Sequence, residues 1–435
     1  MPQANRLNPA LQEDYTQLIL SASAFACFEN SSLTINDLLS SRTENGHTTL
    51  YWDFEAIDAR LREQNYLKFG AGSTPLYLGL RINNAWYLNF SASIVNSSLF
   101  LFPGSIAELR YGNADVETEE PRTIDLNHYD LNELSYASYS FGTVIKPNPD
   151  LRMGLRAKAL MGLSAIVTNT FLATIETSDD FSSSLLKTDI SMNVSGTLFE
   201  TDRIRKVFRP VTAFSDFFLG KDAVSNRNTG LALDFGFSWR PGRIWSLEGA
   251  INDLGYIHWR KDPQQLVSKG EYLYEGLQFS PYTLTDEEFK FDDYLQRYAD
   301  TILTTIIPEA ESKSFSTPLN TRVYLGSSCK LSRKLSIHAL YHARHYAHAT
   351  LRQGTFSASW TPLKAISLSG SFSYSNYWWN NLGLALILRS DWIEIYFASD
   401  NLNTFWNPRD SRGINISLGT NLILWKRNPG NPLTE

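Results

Sequence analysis

Residues 365–375 read AISLSGSFSYS, and every second position from Ser367 to Ser375 is a serine. Ile366, Leu368, Gly370, Phe372 and Tyr374 hold the positions between. Successive side chains of an extended chain point to opposite faces. As a strand, this stretch therefore has one apolar face and one made only of hydroxyls. Solvated faces of soluble sheets more often carry Thr, Lys and Glu. A face of small hydroxyls fits a confined, wet interior.

The pattern recurs along the chain. Leu231, Leu233, Phe235, Phe237 and Trp239 alternate with Ala232, Asp234, Gly236, Ser238 and Arg240. Leu151, Met153, Leu155 and Ala157 alternate with Arg152, Gly154, Arg156 and Lys158. Trp245, Leu247, Gly249 and Ile251 alternate with Ser246, Glu248, Ala250 and Asn252. Period two over such lengths predicts half-buried strands. The runs cover about 9–12 residues, the reach a tilted strand needs to cross hydrocarbon, against about 5–6 for soluble strands. Sixteen segments alternate, with 15–26 and the pair 151–161 and 166–177 alternating least cleanly and a separate one at 186–197. The expected fold is all-β: a single transmembrane antiparallel up-and-down barrel of 14–16 strands occupying the whole chain, 1–435, an even count being the rule for such barrels.

Composition is compatible. Aromatics reach 13% while charged residues are only 19%, below the roughly 25% of soluble domains. No apolar run approaches the ~20 residues of a membrane-crossing helix; LGLALIL, 382–388, is the longest clean one. The start, MPQANRLNPA, lacks the basic and apolar regions of an export signal, so the chain reads as a mature one. Cys27 and Cys329 give neither a disulfide framework nor a metal spacing, and a net charge of −6 argues against a nucleic-acid partner.

Tight turns are expected at Asn83-Asn84, Pro147-Asn148-Pro149, Pro241-Gly242, Ser332-Arg333, Thr361-Pro362 and Ser390-Asp391. Long connections are expected at about 27–72, 94–132, 199–227 and 260–318, with helices at 53–65 and 285–309 inside them. Short turns at one end and long loops at the other are the outer-membrane barrel pattern. Trp86, Trp239, Trp245, Trp360 and Trp392 all adjoin short turns and are expected to form a girdle at one membrane interface.

NRLNPAL, 5–11, resembles the N-terminal Asn-Pro-Ala element of FadL-type outer-membrane barrels, here Asn8, Pro9 and Ala10 within residues 1–14. INDLGYIHW (251–259), TRVYLGSSCKLSRKLSIHALY (321–341), WIEIYFASDNL (392–402) and GINISLGTNLILW (413–425) extend the likeness. Together they resemble an uncharacterised family of Bacteroidota outer-membrane β-barrels that are themselves FadL-like. The resemblance implies a barrel of usually fourteen strands, exported by a signal peptide, with the Asn-Pro-Ala in a plug ahead of the wall. Only seven residues precede Asn8, so a full plug is not expected.

Alternation places Arg152, Arg156, Lys158, Asp234, Arg240, Glu248, Asn252, His338, His342, Arg344, Arg389 and Glu394 on the lumen side. Charges out of bulk water must be paired or hydrated, so they line a water path or knit the lumen shut. His338 and His342 share a face but lie about 13 Å apart along a strand, too far for one metal. No Gly-x-Ser-x-Gly element and no phosphate loop is present; no catalytic residue, cofactor or metal is expected. The expected setting is the outer membrane of a Gram-negative bacterium, with bilayer and lipopolysaccharide as surroundings. The expected role is to pass or capture a small amphipathic or hydrophobic ligand. The alternative is a non-transporting barrel that scaffolds a secretion or assembly complex.

Overall fold

The computed structural model describes residues 2–12, 16–44, 47–111, 120–196, 228–242, 244–274, 309–376 and 378–426. Fourteen antiparallel strands close into one barrel. They are β1 (Thr16–Ser31), β2 (Gln64–Arg81), β3 (Trp86–Pro103), β4 (Asp130–Asn148), β5 (Leu151–Thr177), β6 (Thr229–Trp239), β7 (Trp245–Trp259), β8 (Arg322–Lys330), β9 (Leu335–His345), β10 (Thr350–Leu363), β11 (Ile366–Ser375), β12 (Trp378–Arg389), β13 (Ile393–Ser399) and β14 (Gly413–Lys426). Each pairs with its chain neighbours, and β1 meets β14 to close the cylinder, with Ser21 opposite Asn421.

The expected upper count of sixteen is corrected at two places. Segments 151–161 and 166–177 are one strand of 27 residues, because the single glycine between them, Gly162, makes no turn. A bulge at Leu163 disturbs the alternation there, as the register steps from Ser135↔Ser164 to Tyr136↔Gly162. The segment at 186–197 is the strand Ser184–Gly196, which pairs with the upper part of β5 and with Pro263–Tyr274. These strands rise beyond the long-loop end of the wall, so they alternate without adding to the closed cylinder. The same extension draws the loops in: β1 runs to Ser31 and β2 starts at Gln64, β3 ends at Pro103 and β4 starts at Asp130. The helix expected at 53–65 forms over Phe54–Arg60, capped by Asp53 accepting from the Ala56 N–H. The helix expected at 285–309 and the loop at 199–227 lie outside the described residues.

The two faces of the wall are inverted relative to a soluble protein. On β6, Leu231 is 66% exposed and Phe235 45%, while Asp234 between them is 0% exposed. Such an apolar exterior is stable only against lipid tails, and a closed barrel leaves no unpaired backbone edge there. Among the described residues no helix is long and apolar enough to cross a membrane. The short turns all fall at one end. Two are built on asparagine: the Asn83 side-chain oxygen accepts from the Ala85 and Trp86 N–H groups, and that of Asn148 from Asp150 and Leu151. At Thr361-Pro362 the chain instead bulges and turns at Lys364-Ala365, because β10 continues to Leu363 opposite Ile366.

Candidate functional site in the lumen

Residues 2–12 cross the lumen near the short-turn end as a strap with one helical turn, Ala4–Leu7. On one side the Gln3 side-chain amide donates to Ser21 Oγ at 2.9 Å and to Asn421 Oδ1 at 2.6 Å. Arg6 donates to Ser23 Oγ at 3.2 Å and lies over the Phe25 ring. On the other side Asn8 donates to the Phe237 carbonyl at 2.8 Å, and Asn252 donates to the Leu7 carbonyl at 2.8 Å. Arg152 donates to the Gln12 carbonyl at 3.3 Å. Asn5 ties the strap to itself through the Pro9 and Leu11 carbonyls.

The seat of Asn8, Pro9 and Ala10 is a pair of glycines. Gly154 and Gly236 face each other across β5 and β6. A Cβ on Gly154 would run into the Pro9 carbonyl and the Ala10 nitrogen, and one on Gly236 into Asn8 and Pro9. The wall is thinned to bare backbone there, which lets the strap lie against it.

Above this seat runs a chain of ion pairs. Asp234 accepts from Arg156 at 2.6 Å and from Lys158 at 2.8 Å. Lys158 also reaches Asp253 at 2.5 Å, and Arg322 pairs with the other Asp253 oxygen at 2.5 Å. Arg156 donates further to the Asn5 carbonyl and side-chain oxygens at 3.0 and 3.1 Å, joining the chain to the strap. A bulge makes this possible. The register jumps from Leu233↔Leu254 to Phe235↔Ile251, so Asn252 and Asp253 together oppose Asp234. Asp253 takes φ +63°, a conformation tolerated by Asp, and its N–H donates to Asp234 at 2.7 Å. Both bulge residues thereby turn inward and are buried.

The remaining residues expected in the lumen lie apart from this chain. Arg389 pairs with Glu394 at 2.9 Å and donates to Ser367 Oγ at 2.6 Å, while Glu394 accepts from Asn421. Glu248 is held by Ser246 near Arg240 and Arg152. His342 stacks on Tyr324 with ring centroids 4.5 Å apart, His338 bonds Ser336, and Arg344 donates to Ser97. The serines of β11 face inward and pair with hydroxyls of β10: Ser359 with Ser369, Thr361 with Ser367, Thr355 with Ser373. The five tryptophans Trp86, Trp239, Trp245, Trp360 and Trp392 are all exposed beside the short turns.

Toward the loop end the lumen also holds an apolar cluster, beside buried polar groups such as Asn132, Glu133 and Ser135. Leu134, Tyr136, Leu160, Val167, Ile257 and Trp259 form a buried cluster. Trp259 lies over Gly162, where a Cβ would strike its ring, and donates its indole N–H to Thr317 at 2.8 Å. Asp253, Arg322, Asn5 and Arg6 escaped the sequence reading. The signal for the bulge was present: apolar positions step by two to Ile251 and then by three to Leu254.

A closed cylinder, greasy outside and filled inside by a hydrogen-bonded strap, ion pairs and an apolar cluster, defines a strap-bearing transmembrane β-barrel. Within that class the chain belongs to the family described as "Family of unknown function (DUF5723)", which matches residues 9–400. No curated protein matches the sequence. Among solved structures it is similar to the Ralstonia pickettii toluene transporter TbuX, at 10% identity and a TM-score of 0.42 over 97% of this chain and 92% of that one. It is similar to the Pseudomonas putida toluene transporter TodX, at 8% identity and 0.41 over 96% and 91%. It is also similar to a Pseudomonas aeruginosa FadL homologue, at 11% identity and 0.41 over 97% and 94%.

Proposed function

We propose that this chain is a Gram-negative outer-membrane barrel that captures a small hydrophobic or amphipathic ligand at its long-loop end and passes it inward. One observation carries the reading: an apolar cluster built on Trp259, Tyr136 and Leu160 packs inside the loop end, with the strap between it and the short-turn end, and a nonpolar ligand would enter by displacing its side chains. A nonpolar molecule leaving water for such surface gains about 25 cal/mol per Å² removed from water. The strap is held by hydrogen bonds worth roughly 0.5–1.5 kcal/mol each, so it yields without any covalent change. Arg152, Arg156, Lys158, Asp234, Arg240, Glu248, Asn252, His338, His342, Arg344, Arg389 and Glu394 then serve as the polar wall of the path. Trp86, Trp239, Trp245, Trp360 and Trp392 serve as the girdle at the periplasmic interface. The scaffold alternative rests on the helix expected at 285–309, outside the described residues.

The test is uptake of a radiolabelled monoaromatic hydrocarbon by cells whose lipopolysaccharide layer slows its entry, with and without this barrel. Faster uptake is expected, and Ala232→Arg, which places a charge in the apolar cluster, abolishes the gain while the barrel still migrates as a folded species. Equal rates with and without the barrel overturn the reading.

A further inference from the structure

The wall has a notch. β13 has seven residues, Ile393–Ser399, and pairs with β12 only as far as Leu384. At about 3.3 Å per residue and a tilt near 40°, seven residues rise only about 15 Å, short of the ~25 Å apolar band such barrels present. β12 and β14 continue upward on either side, and the non-strand segment 400–412 fills the space between them. The Leu402 N–H donates to the Leu382 carbonyl at 2.8 Å on the β12 side. On the β14 side Asn401 and Thr404 donate to the Gly413 carbonyl at 2.6 and 2.8 Å.

Irregular backbone at membrane depth is tolerated only where its polar groups are satisfied within the protein. Three side chains of segment 400–412 meet part of this demand. Asn401, Thr404 and Ser411 are buried and bonded to one another, Asn401 to Ser411 at 2.9 Å and Thr404 to Ser411 at 2.6 Å. The Asp400 and Asp410 carboxylates accept from Asn415 and Asn36 respectively. Asn401, Thr404 and Ser411 turn in, while Phe405 and Trp406 stand exposed beside the polar Asn403, Asn407, Arg409 and Asp410. Trp406 is 78% exposed, more than any other large apolar side chain among the described residues.

The bond from Asn36 to Asp410 brings a second patch alongside. The hairpin Leu39–Glu44 with His47–Trp52, followed by helix Phe54–Arg60, exposes Leu50, Tyr51, Trp52 and Phe54. The two patches lie together at the loop end, next to the tops of β1 and β14, and Arg409 stands exposed beside them. Aromatics with an adjacent cation are the residues that settle at headgroup level.

We infer that the segments 34–44, 47–60 and 400–412 form a collar seated in the outer leaflet, and that on this flank the collar, not the strands, sets the upper membrane boundary. The occupant of the patch is lipid. The inference rests on the barrel standing in a bilayer and is independent of what passes through its lumen.

The test places a single NBD-labelled cysteine at Trp406→Cys or Trp52→Cys, in a Cys27→Ser, Cys329→Ser background, with the full chain folded into phosphatidylcholine–phosphatidylglycerol vesicles. Leu273→Cys is the control, exposed on the strand Pro263–Tyr274 far above the wall. Labels at 406 and 52 are expected to emit to the blue of the label at 273 and to be quenched several-fold more by nitroxides attached near the lipid headgroup. Folded migration of each variant on unboiled gels guards against misfolding. Emission and quenching at 406 and 52 equal to those at 273 overturn the inference. So does a result in which both labels stay wet in pure lipid and are shielded only in native membranes, since a protein then covers the patch.

Discussion

Asp234 accepts from three groups, Arg156, Lys158 and the Asp253 N–H, and no solvent reaches it. A buried carboxylate so placed matters less for the attraction it supplies than for what its loss exposes. Asp234→Ala leaves Arg156 without its carboxylate and Lys158 with only Asp253. Removing one partner of a buried pair costs about 3–5 kcal/mol, and a loss of that order is expected in urea unfolding followed in detergent or lipid. Adding Arg156→Met is expected to recover part of it, because the cation left without its carboxylate is then gone; a double variant as unstable as the sum of the singles contradicts the account. Asp234, Arg156 and Lys158 were legible as inward residues because parity within one unbroken strand decides the face. Asp253 was not. A bulge reverses parity, and the same odd number that points outward at Ile251 points inward at 253. Arg322 pairs with a residue that parity had turned outward, so its role was invisible too.

At the scale of elements, period two revealed strands wherever one face meets lipid and the other the lumen, and it failed where that contrast ends. It read the 27-residue β5 as two strands and counted the rim strand Ser184–Gly196 as part of the wall. The strap was legible only as three letters; its seat was not, since two glycines 82 positions apart in sequence, Gly154 and Gly236, meet only through the register of β5 and β6. That register carries a direct consequence. Gly236→Val puts methyl groups where Asn8 and Pro9 lie, so the strap is expected to leave the wall. Trypsin should then cut after Arg6 in the folded barrel several-fold faster than in the parent, as read by mass spectrometry. Gly370→Val is the matched control, because a Cβ there meets nothing. Equal cleavage in both variants would show that the strap does not depend on the glycine seat.

For the whole molecule, the governing contrast is between the medium outside the cylinder and the contents within. Phe235 and Ser369 stand at similar heights, each a few residues above a short turn, but on opposite faces. Phe235 lies four residues above Trp239, about 10 Å along the membrane normal at strand rise and tilt, close to the middle of the apolar band. An arginine there must drag its charge into hydrocarbon or bend the lipid to it, at a cost of about 2–4 kcal/mol. Ser369 is half-buried on the hydroxyl face, opposite Ser359. An arginine there finds water, hydroxyls and Glu394 on the same interior. Phe235→Arg is therefore expected to lower stability in bilayers by that amount and Ser369→Arg by well under half of it, both measured by urea titration of the refolded barrel. The order has a second reading in the same experiment. In a soluble two-layer fold the apolar face would be the core and the serine face the surface, and Phe235→Arg would then be just as harmful without lipid. In a barrel the penalty belongs to the bilayer, so it should shrink when the same variant is compared in small, easily deformed detergent micelles, and a penalty unchanged between the two media would mean that Phe235 packs against protein.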